Sequence, residues 1–134
     1  MTTKIVETIL QYYPETQAIY LFGTYGTADE RAESDVDIAL LLPPGGREGN
    51  LQLAGSDCRF RLQELLDKEV DLLSLRMLST VFQKEVVMNG RLIYCGDRYA
   101  VDEFEMLTLS SYQKLNEERA AILAAIQKTG TILP

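Results

Sequence analysis

Apolar residues fall at helical spacing in the first dozen positions, where Ile5, Val6, Ile9 and Leu10 form one stripe. Pro14 ends that helix, because the residue ahead of a proline is pushed out of helical geometry. Residues 18–22 are then a continuous apolar run of strand length, and a second run, 36–42, stops at the breakers Pro43-Pro44-Gly45-Gly46. The two runs are expected to pair. From 50 to 67, Leu51, Leu53, Cys58, Leu62, Leu65 and Leu66 alternate with Arg59, Arg61, Gln63 and Glu64 in helical rhythm, which predicts one helix crossing back over the sheet. Residues 69–75 predict a third strand, and 78–88 a helix ended at Asn89-Gly90 by residues prone to the left-handed conformation. Residues 91–95 predict a short fourth strand. A long helix over 98–128 carries Val101, Phe104, Leu107, Leu109, Tyr112, Leu115, Ala120, Ile122, Leu123 and Ile126 with no internal Pro or Gly, and Gly130 releases it. The expected class is α/β: a small mixed β-sheet with helices packed on it and a long C-terminal helix. With no repeat, no low-complexity segment and no linker longer than the Pro-Pro-Gly-Gly loop, residues 1–134 are expected to form one domain.

Composition narrows the chemistry. A chain of 134 residues that is 46% hydrophobic and 25% charged suits one globular domain. A net charge of -7 argues against a basic surface tracking nucleic acid and against a cationic membrane face, while leaving room for a nucleotide bound through a metal or for a basic protein partner. The start of the chain lacks the features of a signal peptide, and no apolar run approaches membrane-spanning length, so the expected location is the cytoplasm. The absence of His removes Cys/His zinc sites and every His-dependent nucleophile or base. Cys58 and Cys95 are expected to be buried reduced thiols. Catalysis, if any, must run on carboxylates, hydroxyls, Lys, Arg or a metal.

Gly23-Thr24 follows the first apolar run, and after ten further residues come Asp35-Val36-Asp37, with the second run starting on top of those acids. On an extended segment, side chains at i and i+2 share a face about 7 Å apart, so Asp35 and Asp37 would repel unless a cation joined them. Mg²⁺ is the expected cation, since it takes a couple of carboxylates and completes its shell with water and phosphate oxygens. Asp71, inside the third apolar run, is the candidate third acid, because a charge there is costly unless paired or metal-bound. Two ions between three carboxylates suit in-line phosphoryl or nucleotidyl transfer. Gly23 permits close backbone approach and Thr24 adds a hydroxyl, a combination suited to terminal phosphate oxygens. Each feature alone has a plainer reading: a solvated turn for Asp-x-Asp, an edge residue facing water for Asp71, a tight turn for Gly-Thr. Their conjunction in this order carries the inference.

In that order, Leu21-Phe22-Gly23-Thr24, residues 25–34 and Asp35-Val36-Asp37 resemble the Gly-Ser, ten residues, Asp-x-Asp signature of minimal nucleotidyltransferases of the DNA polymerase beta-like superfamily. Within that superfamily the chain is most similar to the MntA-type antitoxins that accompany a HEPN-domain ribonuclease toxin, and the resemblance spans essentially the whole chain. It implies the polymerase beta-like fold, ATP as substrate with Gly23 and Thr24 on its triphosphate, two Mg²⁺ ions on Asp35 and Asp37, and Asp71 as third ligand and base. It further implies AMP transfer to a tyrosine of the toxin, by the antitoxin of a type VII-like pair that forms a hetero-oligomer. Thr24 departs from the family's Ser; the hydroxyl is kept, but a methyl and a stiffer χ1 are added, which predicts weaker phosphate affinity with the chemistry retained.

Arg31 is open between contact with phosphate or acceptor and an ordinary exposed arginine. Tyr25 reads as a loop-packing aromatic, Arg59 and Arg61 as surface residues, and Tyr12, Tyr13, Tyr94, Tyr99 and Tyr112 as core or interface. The Phe104, Leu107 and Tyr112 faces of the last helix exceed what one small sheet needs and suggest partner contact. Two other functions fit the chain: an antitoxin that masks its partner by binding, and a nucleotidyltransferase acting on a small molecule of the aminoglycoside type. The latter relatives usually carry a further domain for the acceptor, whereas one short and one long helix are all that is expected after the third strand.

Overall fold

Two apolar strands joined through the Gly-Thr loop form the centre of a four-stranded sheet. The computed structural model describes residues 1–45 and 50–129; Gly46 and Gly130, read above as chain breakers, lie outside them. Helix α1 (Thr2–Tyr12) leads into β1 (Ala18–Phe22) and, after the loop, β2 (Val36–Leu41). Helices α2 (Asn50–Ala54) and α3 (Asp57–Leu66) precede β3 (Val70–Ser74), and a 3₁₀ turn (Leu75–Met77) leads to α4 (Thr80–Asn89). Strand β4 (Arg91–Cys95) and the long α5 (Arg98–Thr129) complete the order. The sheet runs β3-β2-β1-β4, with β1 antiparallel to both β2 and β4 and β2 parallel to β3.

Both faces of the sheet are covered, which is why its central strands read as unbroken apolar runs. Alternate residues Ile19, Leu21, Val36, Ile38, Leu40, Val70 and Leu72 pack against Ile5 and Ile9 of α1, Leu53 of α2 and Leu62 of α3. Ala18, Tyr20, Ala39 and Leu41 point the other way, against Val86 of α4 and Val101 and Phe104 of α5. The alternation places Asp37 and Asp71 on this second face. The buried Tyr20 hydroxyl donates to Glu105 Oε2 at 2.6 Å and fastens α5 to the sheet.

The structure corrects four readings. The helix expected over 50–67 is two helices, because Gly55-Ser56 interrupts it: the Ser56 hydroxyl donates to Leu53 O at 2.7 Å and accepts from the Arg59 backbone N–H at 3.2 Å, capping α3 and ending α2 in one residue. Gly90 ends α4 with φ -76° rather than in the left-handed region; a Cβ there would overlap Val86 O, so close packing is what demands glycine. Arg59, read as a surface residue, is half-buried: its side chain donates to Val70 O at 2.7 Å and Ala54 O at 3.1 Å, tying α2, α3 and β3 together. Finally, Cys58 is buried as expected but Cys95, on the edge strand β4, is exposed.

The two thiols should therefore react at different rates. Burial pushes Cys58 up to about 12. Intact-mass analysis of the folded protein with excess iodoacetamide at pH 8 is expected to show one fast adduct, on Cys95, and a second only after denaturation; two fast adducts would contradict the packing of α3.

Candidate active site

Where β1 ends, the backbone turns sharply at Gly23 with φ +76°, and a Cβ at this position would overlap the Asp37 carboxylate. Glycine is required twice over there, by conformation and by proximity. Asp37 in β2 is the Cα partner of Phe22 in the antiparallel ladder and of Asp71 in the parallel one. Strand register alone therefore sets the two acids side by side, with Asp37 beneath the first residue of the loop. Asp35 lies exposed just ahead of β2, and Asp71 is also exposed, while Asp37 is half-buried. Desolvation, then the charge and hydrogen bond of Asp71 and the charge of Asp35, push Asp37 up to about 6.

The loop itself is a chain of tight turns. Thr24 O accepts from both the N–H and the hydroxyl of Thr27, at 3.0 and 2.6 Å. Further on, Glu30 N–H donates to Thr27 O at 3.2 Å and Ser34 N–H to Arg31 O at 3.1 Å. Tyr25 packs on the core beneath the loop, as expected. Thr24 and Arg31, with Ala28, Asp29, Glu30 and Ser34, line an open cleft of about 540 Å³. Thr24 and Arg31 thus meet at one cleft, and Asp37 and Asp71 meet beside Gly23. Among the described residues no three acids or cysteines are gathered into a ready-made cage for an ion. Two residues that contact the loop carried no signal in the sequence: Arg91, whose guanidinium donates to Tyr25 O, and Lys68, which pairs with Glu30 at 3.1 Å. Both come from distant segments and meet the loop only through the sheet.

Residues 4–99 match the model of the polymerase beta nucleotidyltransferase family. The chain belongs to that family. A curated member, protein adenylyltransferase MntA of Shewanella oneidensis, is 35% identical over 120 residues, covering 90% of this chain and 83% of its own. A crystal structure of a toxin-antitoxin with AMP-PNP superposes with a TM-score of 0.77 at 32% identity, covering 94% of this chain and 98% of that one. A tri-AMPylated HEPN toxin of S. oneidensis in complex with its MNT antitoxin matches with a TM-score of 0.72 at 33% identity, covering 94% and 95%. This nucleotidyltransferase is an enzyme of mixed α/β fold, as its sequence led one to expect. No helix among the described residues is long and apolar enough to cross a membrane.

The acid pair has a consequence for stability. Because the folded state keeps on Asp37 a proton that the unfolded chain releases near pH 4, stability falls as pH rises from about 4 to about 6 and stays lower above. A shift of roughly two units is worth about 3 kcal/mol, which solvent screening of a half-exposed group reduces to about 1 kcal/mol. In EDTA, Asp37→Asn is expected to be more stable than wild type by that amount at pH 8 and equal to it at pH 4, measured by urea unfolding; a variant less stable at pH 8 would contradict the strained pair.

Proposed function

We propose that this chain is a Mg²⁺-dependent protein adenylyltransferase that moves AMP from ATP onto a tyrosine of a cognate HEPN ribonuclease toxin and thereby acts as its antitoxin. The observation that carries the reading is the Asp37–Asp71 pair under the Gly23 backbone, in a chain similar to a protein adenylyltransferase and to the antitoxin bound to an AMPylated toxin. The donor set suits Mg²⁺: two or three carboxylates, crowded enough to raise Asp37, with the remaining positions left to water and phosphate oxygens. Asp35, Asp37 and Asp71 would hold it. When bound, the metal neutralises the triphosphate and lowers the pKa of the acceptor hydroxyl.

The chain's own groups do the rest. Gly23 brings its backbone N–H toward the phosphates without a side chain in the way, and Thr24 and Arg31, at the cleft, supply a hydroxyl and a guanidinium to the same anion. The tyrosine oxygen attacks the α-phosphorus in line; the bond to the bridging oxygen breaks and pyrophosphate leaves. Asp71, the exposed member of the pair, accepts the phenolic proton. Phe104 is buried against the sheet, but Leu107, Leu109, Ile122 and Leu123 of α5 are exposed, which supports a protein partner along this helix and leaves masking by binding as a second reading.

The test is AMP transfer from ATP and Mg²⁺ to the purified toxin, read by intact mass. Wild type is expected to add AMP-sized increments, and Asp35→Asn or Asp71→Asn to slow the transfer at least about 100-fold. Undiminished transfer by these variants would overturn the assignment; full silencing of the toxin by Asp35→Asn with no mass change would favour masking.

A further inference from the structure

The loop between β1 and β2 hangs off the end of the sheet's two central strands, and the residues that brace it lie at the start of the two outer ones or in the turn just before. Arg91 opens the edge strand β4, paired with Leu21 of β1, and reaches the loop, donating to Tyr25 O. At the next residue, Gly26, φ is +76° and a Cβ would lie 2.7 Å from Arg91 Nη1, so the loop is shaped to seat the guanidinium. Gly26 N–H in turn donates to Glu30 Oε1 at 3.1 Å. On the other side, Lys68, in the turn before the opposite edge strand β3, pairs with Glu30 Oε2 at 3.1 Å and donates to Arg31 O at 3.1 Å. A continuous polar chain, Arg91, Tyr25, Gly26, Glu30, Lys68, Arg31, thus crosses the loop from one sheet edge to the other.

These contacts differ from the decorative ion pairs on the same molecule. The Lys68 and Glu30 side chains are 18% and 28% exposed, against 65% and 61% for Arg98 and Asp102 and 64% and 73% for Arg61 and Glu64. Exposed pairs of the latter kind contribute little. Lys68, followed by the Gly26 N–H, also holds the Glu30 carboxyl below its ordinary range.

We propose that Arg91 and Lys68 are positioning residues, which tie the loop to both sheet edges and hold Gly23, Thr24 and Arg31 in the arrangement that receives a nucleoside triphosphate. The inference rests on the nucleotidyltransferase reading of the site. A loop already ordered does not lose its conformational freedom on binding, so the contribution falls on affinity for ATP rather than on the chemical step.

Steady-state AMP transfer and amide hydrogen exchange of the nucleotide-free protein test this together, on wild type, Arg91→Ala, Arg91→Lys and Lys68→Met. The expected result is an ATP KM raised about tenfold in Arg91→Ala and Lys68→Met with kcat within about twofold, a smaller rise in Arg91→Lys, and faster exchange across residues 25–31 in the same order. A raised KM with unchanged exchange would mean that the cations touch the triphosphate themselves and would overturn the proposal. Wild-type KM in both strong variants would overturn it alone, whereas a wild-type protein that neither binds ATP nor transfers AMP would remove the reading of the site and this inference with it.

Discussion

Two acids held side by side by strand register are the constraint on which the rest of the site depends. Left to themselves, Asp37 and Asp71 would separate; burial first, and then the neighbouring Asp71, raise Asp37 above its ordinary value. Hydrophobic packing supplies what holds them. Val36, Ile38 and Leu40 of β2 are buried on one face and Ala39 and Leu41 on the other, with Val70 and Leu72 of β3 beside them. A one-residue slip of β2 would turn Asp37 into the layer under α1 and α3 and bring Ile38 out of it. The core is therefore what makes the unfavourable pair permanent, and the proposed divalent cation, bound with a polyphosphate, would make the pair favourable.

Much of this was readable in the chain because it rests on local pattern. Strands β1 and β4 have the expected bounds, β2 is one residue shorter, and the third run pairs with β2 so that Asp71 lies opposite Asp37. The direction of that pairing follows from α2 and α3, which cross back over the sheet and make β2 and β3 parallel. What escaped the sequence depends on atoms far apart in it. Ser56 splits a helix because its hydroxyl finds both Leu53 O and Arg59 N–H, an arrangement that a helical hydrophobic rhythm hides. Cys95 resembles a core thiol in composition but sits on an edge strand. Arg91 and Lys68 look like any surface cations until the sheet order places their strands on either side of the loop.

Charge is distributed to match. In a chain of net charge -7, Arg31, Lys68 and Arg91 nonetheless all lie at the loop between β1 and β2. An acidic molecule that binds a polyanion needs a cation at the acids and fixed positive charge around the phosphates, and the two requirements are met by separate elements: the strands carry the acids, while the loop and its braces carry the cations. The exposed apolar residues of α5, Leu107, Leu109, Ile122 and Leu123, belong to neither group.

The most direct measurement is a carboxyl-carbon NMR titration of Asp37, first in EDTA and then with Mg²⁺ and a non-hydrolysable ATP analogue. The expected apparent pKa is near 6 without the ligands, set by burial and by Asp71, with a fall below the ordinary carboxylate value once both are bound. A pKa that is ordinary in EDTA, or that does not move when Mg²⁺ and the analogue are added, would contradict the claim that this pair is built to hold a cation.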